Sequence, residues 1–214
     1  MKSSGSYTVF AVPGLGSTLA EALLALCSVP VRIEDVTGFD QSGAARERLL
    51  RINPLGQVPT LLLPDGTVMT ESAAIALLLS ERHPDSGLAP APGTDARAAF
   101  LRRLVWFAAN IYPTFTYGDY PDRWVRADPA SLQDTTDRYR ERLWKQFESE
   151  LPKGGWVLGT QFSALDIYVA VMTHWRPRRA WFAAHCPRLH AIASRTDEHP
   201  FLKAVLQRNF PPTA

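Results

Sequence analysis

The chain has 214 residues, 46% of them apolar and 21% charged, which is enough for one large domain or two modest ones with real cores. Its 23 Lys and Arg stand against 21 Asp and Glu, and this net charge of +2 excludes nucleic-acid binding through bulk positive charge as well as an acidic disordered chain. The two cysteines, Cys27 and Cys186, exclude a disulfide framework and a CxxC metal or dithiol centre, and no run approaches the ~20 apolar residues of a membrane span.

The N-terminal stretch Met1–Ser6 has no apolar h-region or cleavage site, so a reducing, cytoplasmic compartment is expected. Tyr7 to Val12 (YTVFAV) is β-branched and aromatic and predicts a buried strand, broken by Pro13-Gly14-Leu15-Gly16. Ser17 and Thr18 are candidate N-caps for a helix over Leu19 to Cys27. Val29 to Val36 reads as a second strand, and Gln41 to Arg51 as a charged helix. Thr60–Leu63 and Thr67–Met69 flank Pro64-Asp65-Gly66, a hairpin with turn chemistry at its tip. A third helix runs from Glu71 to Arg82 and ends at His83-Pro84. The order β-α-β-α-β-β-α predicts a mixed sheet with helices packed on it.

Residues 85–94 contain the one Pro/Gly-dense linker, so domains are expected at 1–84 and 95–214. Past it every segment reads as helix. One covers Asp95 to about Asn110 with a kink or end at Tyr112-Pro113, and a long one covers Pro129 to Glu150. Ser163 to Trp175 is apolar nearly all round and is therefore expected to be buried, and shorter helices follow to Arg208.

The segment Asn53-Pro54-Leu55-Gly56-Gln57-Val58-Pro59-Thr60 is chemically the most informative. A proline directly before a strand donates nothing to the ladder, and a cis Val58–Pro59 bond would leave the Val58 N–H and C=O unpaired by the sheet. Such a backbone edge accepts an extended peptide as a short added strand. Glu71 and Ser72 then open a helix, so free N–H groups and the positive dipole end sit beside a carboxylate and a hydroxyl. That set suits an α-amino-acid head group: Ser72 and the helix N-terminus for its carboxylate, Glu71 for its ammonium.

The run NPLGQVPTLLLPDGTVMTESAAI closely resembles the glutathione-binding segment of cytosolic glutathione S-transferases. A thioredoxin-like domain followed by an all-helical one is also similar to that superfamily over nearly the whole chain. Ser163-Ala164-Leu165-Asp166 looks like the family's capping box in the buried helix of the second domain, with a role in folding. The resemblance implies glutathione as co-substrate, no metal, and a homodimer. It assigns Gln57, Glu71 and Ser72 to the γ-glutamyl end, Val58 to the cysteinyl backbone, and Pro59 to the family's cis-proline. Arg51 lies on the preceding helix, either facing the glycyl carboxylate or solvated at the surface.

Relatives stabilise the glutathione thiolate with a strand Tyr, or with a Ser or Cys at the start of the first helix. Aligned on Pro13-Gly14, Ala11 stands at the tyrosine place, Leu15 at the serine place and Gly16 at the cysteine place. Ser17 is the best remaining hydroxyl. It is expected to donate to sulfur beside N–H groups near Gly16, or simply to cap the helix, and the two roles are compatible. Thr18 is a weaker candidate.

Leu15, Trp106, Tyr112 and Phe115 are expected to line the electrophile pocket, whose aromatic character favours small hydrophobic acceptors. Arg176, Arg178 and Arg179 form a basic cluster, either solvated or facing an anionic substrate. The implied reaction is conjugation of glutathione thiolate to such an electrophile. A glutathione-dependent isomerase or lyase, resembling maleylacetoacetate isomerase or the ether-cleaving relatives, and a non-catalytic binding protein are the alternatives.

Overall fold

The structure, a computed structural model, describes residues 5–211. Four strands form one sheet in the order β2-β1-β3-β4: β1 (Tyr7–Ala11), β2 (Val31–Asp35), β3 (Thr60–Leu62) and β4 (Val68–Met69). β1 runs parallel to β2 and antiparallel to β3, and β3 pairs antiparallel with β4. Helices α1 (Ser17–Leu26), α2 (Ala44–Ile52) and α3 (Ser72–Arg82) complete the thioredoxin-like unit. α1 is rich in Ala and Leu, strong helix formers, and Leu19, Leu23 and Leu24 are buried with Val9 of β1, Leu61 of β3 and Ile75 of α3. Edge strand β2 leaves Ile33 exposed, which suits a strand with one solvated face.

The described chain divides between Ala89 and Pro90, inside the 85–94 stretch. One unit holds residues 5–89 together with 197–211, and the other holds 90–196. This corrects the expectation that the whole of 95–214 belongs to the helical domain. α10 (Lys203–Asn209) packs on α1, because buried polar groups on α1 find their partners there.

The helical unit contains α4 (Asp95–Trp106), α5 (Tyr112–Asp119), α6 (Pro129–Ser149), α7 (Ala164–Met172), α8 (Arg179–His185) and most of α9 (Pro187–Asp197). α7 is buried on every side, as its composition predicts. The expected break at Tyr112-Pro113 is a π-turn over Phe107–Ile111 that leads directly into α5. Proline has no N–H for the usual i−4 carbonyl, and the helix widens locally, with Tyr112 N–H reaching five residues back to Phe107 O. The core is aromatic: Phe107 stacks on Tyr168 at 5.7 Å and tilts against Trp144 at 5.9 Å.

The capping box at α7 is present. Asp166 accepts from Ser163 N–H and Val157 N–H, both at 2.8 Å, and Ser163 Oγ accepts from Leu165 N–H. Burial pushes the Asp166 carboxyl up to about 7 against the pull of those donors. Among the described residues, no helix is long and apolar enough to cross a membrane.

Candidate functional site

Sheet register gathers the singled-out residues of the first unit. Phe10 pairs with Thr60 and Val9 with Leu61, so the end of β1 lies beside the start of β3. Val12 and Val58, which follow and precede these strands, both pack against the buried Phe10, Val36 and Leu49. Leu61 pairs with Met69, which carries the Glu71–Ser72 step to the same end of the sheet. The N-termini of α1 and α3 therefore open beside the Val58–Pro59 link.

The Val58–Pro59 bond is cis. Val58 N–H and C=O have no partner among the described residues, in keeping with the expectation of an open backbone edge. The loop before it is held by Asn53, which is buried. Its Oδ1 accepts from Leu55 N–H, and its Nδ2 donates to Gln57 O at 3.1 Å and Thr60 Oγ1 at 3.0 Å. Thr60 Oγ1 donates in turn to Gln57 O at 2.7 Å. This frame leaves the Gln57 side chain exposed, with no hydrogen-bond partner among the described residues. Gly56 has φ +59, and a Cβ there would stand 3.1 Å from Leu50, so the turn favours glycine twice over.

Glu71 takes φ 61 and ψ 105 at the N-cap position of α3. A non-glycine residue held there stores backbone strain, a feature concentrated at binding sites. Its side chain caps nothing and forms no ion pair among the described residues. Ser72 is buried, yet its hydroxyl has no partner among the described residues, and Glu71 O accepts from Ile75 N–H. Donors, a hydroxyl and a carboxylate thus stand together at a helix N-terminus, beside the positive end of its dipole. Arg51, on α2, is exposed and has no partner among the described residues.

At α1 the structure corrects one expectation. Ser17 is the first helical residue, Gly16 holds the N-cap position, and no side chain caps the helix. Ser17 Oγ instead accepts from Val12 N–H and donates to Val12 O, both at 3.0 Å, and the residue is fully buried. Its proton is engaged rather than free for sulfur. The N–H groups of Gly16 and Ser17 have no acceptor among the described residues, whereas Thr18 N–H already donates to Leu15 O. Leu15, in the turn, remains half-buried.

Neither cysteine belongs to this end of the sheet. Cys27 closes the far end of α1, where burial pushes its thiol up to about 11, and Cys186 lies buried in the helical unit with its thiol up to about 12. Both are far from reactive thiolates.

Within the helical unit, Trp106 stacks on Phe147 at 5.0 Å, and Tyr112 meets Trp175 edge-on at 5.8 Å. Both remain half-buried. Phe115 is used for packing, against the expectation that it lines a pocket. It is 5% exposed, wedged between Trp175 at 4.9 Å and the Arg140 guanidinium at 4.4 Å. The arginine cluster is likewise committed: Arg176 donates to Gly118 O and pairs with Asp119 and Asp137, and Arg179 donates to Ala170 O. Only Arg178 of the three is exposed without a partner among the described residues.

Comparison with known proteins gives the family. Residues 19–82 match the family "Glutathione S-transferase, N-terminal domain". The chain is 44% identical over 201 residues to the uncharacterized GST-like protein YncG of Escherichia coli (strain K12), spanning 94% of this chain and 97% of that one. It belongs to the glutathione S-transferase superfamily. A second superfamily relative, glutathione S-transferase GstA of Escherichia coli O157:H7, is 30% identical over 72% of this chain and 75% of its own. A sphingomonad glutathione S-transferase solved in complex with glutathione matches with a TM-score of 0.78 at 26% identity, covering 96% of this chain and 100% of that one.

The structure adds a framework that the sequence pattern does not single out: Asn53 and Thr60 under the loop, Val12 under Ser17, and Asn209 of α10 against the start of α1. Asn53 carried a readable signal, since Asn-Pro favours a turn held by the asparagine side chain. Asn209 carried none, lying 195 residues from Gly14, whose N–H it accepts.

Proposed function

We propose that this protein is a glutathione S-transferase that joins glutathione to small hydrophobic electrophiles. One observation carries the reading: the unpaired Val58 backbone, the open N-terminus of α3 with Glu71 and Ser72, and two free amides at α1 share one end of the sheet. The γ-glutamyl carboxylate takes Ser72 and the α3 amides, its ammonium takes Glu71, and Gln57 reaches the same end. The cysteinyl backbone pairs with Val58 beside Pro59, and Arg51 stands ready for the glycyl carboxylate. This delivers sulfur to the mouth of α1.

There the Gly16 and Ser17 N–H groups and the helix dipole favour thiolate over thiol. A free thiol has a pKa of about 8.5, and each unit of lowering corresponds to ~1.36 kcal/mol of preferential interaction. The thiol proton leaves to water. Sulfur then attacks the electrophilic carbon, forming the C–S bond while a halide departs with its electron pair or an epoxide opens. Leu15, apolar and half-buried in the turn before α1, suits such acceptors better than sugars or phosphates. No metal enters this chemistry.

We propose a homodimer in the cytoplasm. The exposed Leu101 and Val105, one turn apart on α4, support association, and the free Cys27 and Cys186 suit a reducing compartment. A light-scattering mass of one chain would contradict the dimer.

The test is titration calorimetry with glutathione together with turnover of a chromogenic aryl halide. Binding with turnover supports the transferase, and no binding at millimolar glutathione sinks it. The engaged Ser17 hydroxyl favours one second reading, a glutathione-binding protein without catalysis, which binding without turnover across an electrophile panel would select. The isomerase alternative loses its support from Arg176 and Arg179, whose guanidinium groups serve internal partners.

A further inference from the structure

The turn that presents the Gly16 and Ser17 amides is not held by its own neighbours alone. Asn209, at the end of α10 and 5% exposed, points its side-chain carbonyl into that turn. Asn209 Oδ1 accepts from Gly14 N–H at 3.1 Å and from Thr18 Oγ1 at 2.9 Å, so one oxygen clamps the residues on either side of the two free amides. Its Nδ2 donates to Val205 O at 3.0 Å and to Glu21 Oε2 at 3.4 Å. Glu21 is itself buried on α1 and pairs with Arg208, which fixes the amide orientation: nitrogen toward the carboxylate, oxygen toward the turn.

The backbone is fitted to this clamp. Gly14 has φ +76, and a Cβ at that position would stand 3.3 Å from Asn209 O and 3.6 Å from the Phe210 ring. Positive φ and close approach both favour glycine there.

We infer that Asn209 is a positioning residue for thiolate stabilisation, acting through Gly14 and Thr18 to hold the Gly16 and Ser17 N–H groups in a fixed direction. The inference rests on the transferase reading for its chemical consequence and on geometry alone for its mechanical one. A preorganised donor stabilises charge without reorganising, so loosening the turn weakens the thiolate while leaving intact the γ-glutamyl anchors at α3, which Asn209 does not touch.

The experiment has two arms, on wild type, Asn209→Ala, Thr18→Val and Thr18→Ser, each first shown to be folded by circular dichroism. In the first arm, hydrogen–deuterium exchange of residues 13–19 is followed without ligand. Exchange at least 10-fold faster in Asn209→Ala is expected, with a smaller rise in Thr18→Val that Thr18→Ser reverses. In the second, the apparent pKa of bound glutathione is read from thiolate absorbance and from the pH profile of kcat/KM. A rise of about one unit is expected in Asn209→Ala, a tenfold loss of thiolate at low pH, with KM for glutathione within 3-fold.

Unchanged exchange overturns the inference. So does faster exchange with an unchanged thiol pKa, because Asn209 would then serve stability alone. Absence of glutathione binding by wild type is a separate failure: it removes the transferase reading, while the exchange arm still decides whether Asn209 holds the turn.

Discussion

Ser17 grips Val12 with both ends of one hydroxyl, accepting its N–H and donating to its C=O at 3.0 Å each. The side chain that fills the expected place of a catalytic donor therefore joins the end of β1 to the start of α1. Leu15 N–H also donates to Val12 O, so removing the hydroxyl orphans the Val12 N–H more than the carbonyl.

Ser17→Ala is accordingly expected to lower stability by about 1–3 kcal/mol, the usual cost of a buried group losing its partner. The backbone N–H of residue 17 survives the change, so aryl-halide turnover should stay within tenfold of wild type. Urea unfolding and steady-state kinetics on the same preparation check both. Native stability with turnover reduced a hundredfold would return the hydroxyl to the role of direct donor.

Asn53→Ala should loosen the 53–60 loop from beneath. It removes the acceptor for Leu55 N–H and the donor to Gln57 O and Thr60 Oγ1 together. Glutathione affinity is expected to fall about 10-fold or more, ~1.4 kcal/mol, measured by calorimetry. An unaltered Kd would mean that the Val58 backbone edge holds its direction without Asn53.

Glu71→Gly separates binding from stability. At φ 61 the glutamate is strained, and glycine relieves the strain, so the melting temperature should hold or rise, with a gain of up to about 1 kcal/mol. The same change deletes the proposed ammonium partner, and glutathione binding should weaken. Lower stability with intact binding would show that the Glu71 side chain serves the fold.

Asp166 makes a pH prediction. Burial raises its carboxyl to about 7 in the folded protein, while the unfolded chain releases that proton near 4. Below about 4 both states hold the proton. Between there and 7 the folded state binds more protons than the unfolded one, so stability falls as pH rises across that window and levels off above it. Denaturant unfolding from pH 4 to 8 should show this slope in wild type, and Asp166→Asn should lack it. Equal slopes in the two proteins would contradict the raised value.

Local chemistry makes much of the fold legible in the sequence. The YTVFA strand, the Pro-Asp-Gly hairpin tip, the largely apolar α7 and the Ser163–Asp166 box each carry their signal within a few residues, and each forms as its composition dictates. The segment that resembles the superfamily's glutathione-binding run is legible for the same reason: Val58-Pro59 and Glu71-Ser72 are local patterns joined by a short hairpin. Long-range partnerships were not readable. Nothing in STLAE announces that Thr18 and Glu21 belong to Asn209, and nothing in Pro129–Ser149 announces that Arg140 claims Phe115 from a pocket. Whether a serine proton is free depends on which backbone group happens to face it, and at Ser17 that group is Val12.

The return of α10 to α1 also bears on how the first unit is made. On a ribosome the turn at Gly14 emerges early, but the oxygen that clamps it belongs to a residue 195 positions later, after the entire helical unit has been translated. Until then the nascent thioredoxin-like half has Thr18 and Glu21 without their α10 partners. A fragment cut at Ala89, or a graft of that half onto another protein, would inherit the same defect: a sheet with its hairpin in place and the turn from Gly14 to Thr18 left unbraced.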